Sequence, residues 1–240
     1  MRRSLTAVLT LVLASACSAV TGSPVPSQQS ASTAASVPSP SPAVSPPPGT
    51  TAMRDGSLKP GLTYVTPHFA APFTIVVPKR TPSGFWFATS TGLSRVLSIG
   101  NPESEGAGVE FELPSGGFET DGTAAAEPDD FVAWLEQDPQ LSASKPRSIK
   151  VGGFDATQVD VAAVASKIPT PPGLCPAHLQ CVLVASTDPD APLRPLLVYP
   201  GLAQRIIVVD LPQGQLLIDV QPDVAVRGPA KQLVRSLKFL

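Results

Sequence analysis

Two cysteines and a histidine form the tightest group of residues able to do chemistry, in the run Cys175-Pro-Ala-His-Leu-Gln-Cys181. Thiols this close can join into a small disulfide loop, the usual fate of paired cysteines outside the cytoplasm. The loop-entropy model gives such a closure up to about 3 kcal/mol. Adding His178 makes a C-x2-H-x2-C metal clip, but with three ligands where a structural zinc takes four. Thiolates beyond the cytoplasm also tend to oxidise. The run therefore predicts a Cys175–Cys181 disulfide and no metal, with free or redox-active thiols as the remaining reading.

No other group points to a reaction. The chain has two histidines, His68 and His178, and neither sits beside a nucleophile elbow, since no G-x-S-x-G occurs. Ser115-Gly-Gly117 reads as a turn. Gly106-Ala-Gly108 lacks the Lys and Ser/Thr of a phosphate loop and precedes a strand rather than a helix. Asp129-Asp130 reads as a helix cap. Asp188 and Asp190 fall in a Pro-rich loop without the alternating oxygens and closing Glu of a calcium loop. The expectation is no catalytic residue, no cofactor and no metal ligand. With 17 basic and 19 acidic residues, a net charge of −2, the chain shows no basic footprint for nucleic acid.

The first residues carry an address. Arg2 and Arg3 precede an apolar stretch, Leu5 to Leu13, too short to span a bilayer, and Ala14-Ser15-Ala16 supply small residues before Cys17. This is the layout of a secretory signal covering residues 1–16. The stretch resembles a bacterial lipobox, with Ala14 where Leu is usual, and the resemblance implies diacylglycerol on the Cys17 thiol. An ordinary secreted protein cut near Ala16 or Ala19 is the alternative. Removing residues 1–16 leaves 15 basic against 19 acidic residues, a net charge of −4. Such a chain is expected to stand off from an anionic membrane.

Residues 17–51 read as a linker. Ser18 to Thr50 holds no charged and no aromatic residue and ends in Pro46-Pro47-Pro48. It lacks the apolar area to offset its ordering entropy, and its prolines favour extended conformations. Residues 52–240 then read as one globular domain of short strands broken by Gly and Pro. Phe73 to Val77, Phe85 to Phe87 and Val96 to Ile99 come first. Val109-Glu-Phe-Glu-Leu113 alternates apolar with acidic, predicting a strand with one wet face. A mid-chain helix follows, capped at Asp129 or Asp130, with Phe131, Trp134 and Leu135 on one face as core anchors. Further strands lie at Ser148 to Val151, Gln158 to Val164, Val182 to Val184 and Leu196 to Tyr199. Arg205 to Leu211 and Gln215 to Val220 read as a hairpin turning at Pro212-Gln-Gly214. Gly228-Pro229 opens a closing helix with Leu233, Val234 and Leu237 as its stripe. The fold class is α+β, an antiparallel sheet of about eight or nine strands with both helices covering one face.

The exported start, Phe-Thr-Ile-Val-Val-Pro, Asp-Asp-Phe-Val-Ala-Trp-Leu, the Val-Gly-Gly turn, the late hairpin and Leu-Val-Arg-Ser-Leu-Lys-Phe together resemble actinobacterial envelope lipoproteins. The layout is similar to the PsbP-like fold, which includes the LpqN-type lipoproteins. The resemblance spans Phe73 to Leu240 and implies a binding or scaffolding role rather than catalysis. The expected protein is a non-catalytic lipoprotein on the outer side of the bacterial cell membrane. It would be held by its lipid and would present a domain for an envelope protein, glycan or lipid. An exported hydrolase with a spatially assembled site, and a sensor or accessory subunit of another membrane protein, are the alternatives.

Overall fold

The computed structural model describes residues 45–79, 86–90, 95–100, 108–168, 175, 179–187, 195–221 and 224–240. At the centre lies the hairpin Gln204–Leu211 and Gly214–Val220, turning through Pro212 and Gln213, with Ile207 opposite Ile218 and Val209 opposite Leu216. Both strands are nearly continuous runs of Ile, Val and Leu. The period-2 geometry of a strand sends neighbours to opposite faces, so such a run buries apolar surface on both sides.

Seven strands extend this hairpin into an antiparallel sheet of nine. On one side Phe154–Ala163 pairs with Gln204–Leu211, and two short strands, Leu141–Ala143 and Arg147–Val151, both pair with Phe154–Ala163 to form the edge. On the other side follow Gly108–Glu112, Val96–Gly100, Phe87–Ser90 and Gly56–Ser57. Smaller sheets of four, three and two strands complete the described residues. The sequence expectation of a sheet of eight or nine antiparallel strands with two helices matches this architecture.

The placement of the helices differs from the expectation. Helix α1 (Phe131–Gln137) and helix α2 (Val224–Arg235) lie over opposite faces of the sheet rather than sharing one. On the first face, Ala230, Leu233 and Val234 of α2 join Ile207, Val209, Leu216 and Ile218. The four-stranded sheet of Thr51–Ala52, Thr63–Val65, Phe73–Val76 and Lys238–Phe239 packs into the same core, where the Phe73 and Phe111 rings lie 4.8 Å apart. On the second face, Phe131 and Leu135 of α1 join Ile206, Val208 and Leu217. A sheet whose central strands are apolar on both sides needs two covers, and two helices in one layer would leave one face wet.

Local signals account for the helix ends. Asp130 caps α1, its Oδ1 accepting from the Ala133 N–H at 3.0 Å, and the chain turns away at Asp138 before Pro139. Phe131 and Leu135 are fully buried, but Trp134 sits at the rim with its ring 6.3 Å from that of Phe131. The buried tryptophan is Trp86. Helix α2 begins at Val224, upstream of the Gly228-Pro229 start read from the sequence, and holds Pro229 inside it. Pro229 has no N–H to give the Ala225 carbonyl. That loss falls mid-helix, at the sixth of its twelve residues, and the burial of Ala230, Leu233 and Val234 offsets it. Ser115-Gly-Gly117, read as a turn, instead enters the strand Gly116–Phe118, which pairs with Ala124–Ala126 and Ala185–Ser186. Glycine is needed there because a Cβ on Gly116 would stand 2.7 Å from the Ala125 carbonyl oxygen.

Gly152 and Gly153 form the turn between Arg147–Val151 and Phe154–Ala163, both with positive φ, at 60° and 96°. They differ in surroundings. A Cβ at Gly152 would lie 2.6 Å from the Phe239 ring, whereas at Gly153 nothing lies within 4 Å. Gly153→Ala adds only backbone strain, about 1–2 kcal/mol. Gly152→Ala adds the same strain plus displacement of the Phe239 ring. Thermal unfolding of the two variants should therefore show the larger Tm loss for Gly152→Ala; equal losses would mean the Phe239 packing contributes nothing.

Candidate functional site

The cysteines read from the sequence do meet: Cys175 and Cys181 form a disulfide with a Cα–Cα distance of 5.8 Å. Cys181 is fully buried beside Phe118 and Leu183, with Leu197 and Tyr199 packed around. The bond thus belongs to a small apolar cluster of its own, separate from the second-face core that Val182 and Val184 join. His68 is exposed in a turn and has no hydrogen-bond partner among the described residues. Cys17, His178, Asp188, Asp190, Phe85 and Gly106 lie outside the described residues. Of the Asp129-Asp130 pair, Asp130 is the α1 cap. Among the described residues no three His, Cys, Asp or Glu side chains are placed to hold a metal ion.

Among the described residues, a concavity lies on the first face, where α2 stops short of covering the sheet. It is a groove of about 620 Å³ between the edge strand Arg147–Val151, the strands Phe154–Ala163 and Gln204–Leu211, and helix α2. Its volume falls within the roughly 300–1,000 Å³ of small-molecule sites. The floor is largely apolar, built from Ile149, Val151, Ile207 and Val220 with Gln158 beside Ile207, and Val234 of α2 closes one wall. Charge surrounds this floor unevenly. Arg147, Lys150, Arg205, Lys231 and Arg235 line the groove against a single carboxylate, Asp160.

Two of those cations are already matched. Arg205 grips Asp160, its register partner, through Nε–Oδ1 at 2.7 Å and Nη2–Oδ2 at 3.1 Å. That fork raises the guanidinium pKa further. Lys150 meets Asp155 at 2.7 Å in an exposed pair, worth little by itself. Arg147, Lys231 and Arg235 have no ion-pair partner among the described residues and are exposed. Lys231 and Arg235 are one helical turn apart, flanking Val234 on one face of α2. Arg147 stands across the groove on the sheet edge. Arg235 also suits the negative end of the helix dipole, and edge cations discourage strand addition. Neither of those roles brings three unmatched cations around one apolar floor.

A second polar group lies on the opposite face and was not foreseen. Val109, Phe111 and Leu113 pack into the first core as read, but the partner face of that strand is not wet: Glu112 is 2% exposed. Asp219, on the neighbouring strand, is also 2% exposed. Gln204 Nε2 donates to Asp219 Oδ2 at 3.4 Å and to the Leu197 carbonyl at 2.8 Å, and Ser98 Oγ donates to Glu110 at 2.7 Å. Glu112 Oε2, Asp219 Oδ1 and Gln204 Oε1 are left with no hydrogen-bond partner among the described residues. Burial first, then the nearby Glu110 and Asp219 charges, push the Glu112 carboxyl well above its ordinary range. Burial and then Glu110 do the same to Asp219, against a smaller opposing effect of the Gln204 hydrogen bond. Sequence alternation missed these residues because it reports a strand's two faces, not whether the second is covered. The continuous apolar run Ile206 to Val209 was the available sign that it is.

Comparison of the chain with family models, with curated proteins and with solved structures finds no match. The geometry above is therefore what bears on function.

Two outcomes follow. Replacing Cys175 and Cys181 with Ser removes a short-loop constraint of about 2 kcal/mol. For a domain this size the expected fall in Tm is about 4–8 °C, and no free thiol from these positions should titrate in the unfolded wild type. The buried acids have folded-state pKa values above their unfolded ones, so the native state holds protons that the unfolded state has released. Their contribution is most favourable below the unfolded carboxylate range and is lost as pH rises through the folded values. Glu112→Gln with Asp219→Asn should raise Tm more at pH 8 than at pH 5; the reverse order would show that both carboxyls are stabilised as anions.

Proposed function

We propose that this chain is a non-catalytic lipoprotein on the outer side of the bacterial cell membrane, anchored through Cys17, that presents a binding or accessory domain on its linker. The observation that supports a binding role is the groove beside α2, where an apolar floor meets three cations with no carboxylate partner among the described residues. A folded domain gains nothing in stability from gathering unmatched like charges, which repel. A ligand that supplies the missing negative charge gives the arrangement a purpose. The layout also supports a PsbP-like reading of the domain: one antiparallel sheet, one helix mid-chain and one near the C-terminal end.

The membrane attachment rests on Ala14-Ser15-Ala16-Cys17 and on Cys17 being the cysteine left over from the disulfide. No helix among the described residues is long and apolar enough to cross a membrane. Acyl chains hold a protein to a bilayer at about 0.8 kcal/mol per buried methylene. Globomycin treatment or Cys17→Ser should therefore shift the protein from the membrane fraction to the medium or change its gel mobility. Unchanged membrane association under both would remove the anchor from the account. Native purification followed by mass spectrometry of bound molecules tests the binding role directly.

A further inference from the structure

We infer that the groove between α2 and the sheet edge binds a single anionic amphiphile, its acidic headgroup held by Arg147, Lys231 and Arg235 and its acyl part laid on the floor. This deepens the binding reading above and rests on it.

Two properties of the groove select this class of ligand. The first is charge on both rims: Lys231 and Arg235 project from one face of α2 and Arg147 from the facing strand edge. A headgroup between them is reached from two sides, and the arginines offer the forked donors that suit phosphate or carboxylate oxygens. These three cations stand in a chain of net charge −2, so general basicity does not account for their meeting in one groove. The second is the floor. Ile149 is half-buried and lines the groove with the buried Val151, Ile207 and Val220, with Gln158 the one uncharged polar side chain among them. A free inorganic anion or a polyanionic glycan would use the cations and leave this apolar surface wet. A neutral lipid would use the floor and leave the cations unmatched. An amphiphile with one acidic head satisfies both. The Arg205–Asp160 fork at the base holds itself neutral as a pair, which leaves the rim cations to provide the attraction.

The test uses the full-length lipidated protein in phosphatidylcholine nanodiscs, titrated calorimetrically with dihexanoylphosphatidylglycerol below its critical micelle concentration. Dihexanoylphosphatidylcholine, dibutyrylphosphatidylglycerol and inorganic phosphate serve as comparison probes. The expected result is saturable binding of dihexanoylphosphatidylglycerol, tighter than each of the three by about ten-fold or more. Lys231→Glu with Arg235→Glu should weaken it by about ten-fold or more, and the charge-preserving pair Lys231→Arg with Arg235→Lys should retain it within about three-fold. All three residues are exposed, and unchanged circular dichroism would show that the variants are folded. Phosphate binding as tightly as the dihexanoyl probe would reduce the site to an anion site and overturn the amphiphile. Phosphatidylcholine binding as tightly would remove the role of charge. Undiminished binding in the Glu variant would place the ligand elsewhere, and no binding of any probe would overturn the inference. The broader reading fails separately: a bound protein or glycan that survives the Glu substitutions would sink the amphiphile while leaving a binding domain in place.

Discussion

The requirement to bury both faces of one antiparallel sheet governs the rest of the molecule. The central hairpin presents Ile207, Val209, Leu216 and Ile218 to one side and Ile206, Val208 and Leu217 to the other. At about 25 cal/mol per Å² of apolar surface removed from water, neither side can be left exposed without a large cost. The chain supplies two different covers. Helix α2 and the small sheet around Phe73 cover most of the first face, and α1 with the segments around Ile168, Val184 and Leu196 covers the second.

Both polar features of interest are consequences of how those covers fit. On the second face the cover extends over positions occupied by acids, so Glu112 and Asp219 lose their water and keep unpaired acceptor atoms. On the first face α2 is too short to reach across the sheet edge. The strands there carry Arg147, Gln158, Asp160 and Arg205 on that face rather than apolar residues, and the uncovered strip becomes the groove. One feature is an excess of burial and the other a deficit. The groove is the accessible one, open to a ligand from solution. The acid pair is internal, and its effect is on stability as pH changes.

Much of the scaffold was legible residue by residue. The Asp130 cap, the Gly152-Gly153 turn, the hairpin at Pro212-Gln213 and the Cys175–Cys181 bond all follow from short-range rules, because each depends on residues within a few positions of one another. The errors arose where a local rule had two readings. Proline suits a first helical position, yet Pro229 sits within α2 because the turn before it also folds. Ser115-Gly-Gly117 carries turn residues, yet becomes a strand because only glycine lets it approach the Ala125 carbonyl. Trp134 has the helical spacing of an anchor and does pack, half-buried, against the second core, but the fully buried tryptophan is Trp86.

By itself the sequence determined the strand-rich composition, two helices, the disulfide and the signal-like start ending at Cys17, for these rest on residue type and on periods of two to four positions. The side of the sheet each helix covers, the desolvation of Glu112 and Asp219, and the meeting of Arg147 with Lys231 and Arg235 were decided only by tertiary structure. Arg147 lies on the sheet edge and its two companions on the last turns of α2, more than eighty residues later. No short-range pattern encodes that distance. It closes because the late hairpin inserts at the centre of the sheet and leads α2 back across the first face, where its apolar stripe is buried.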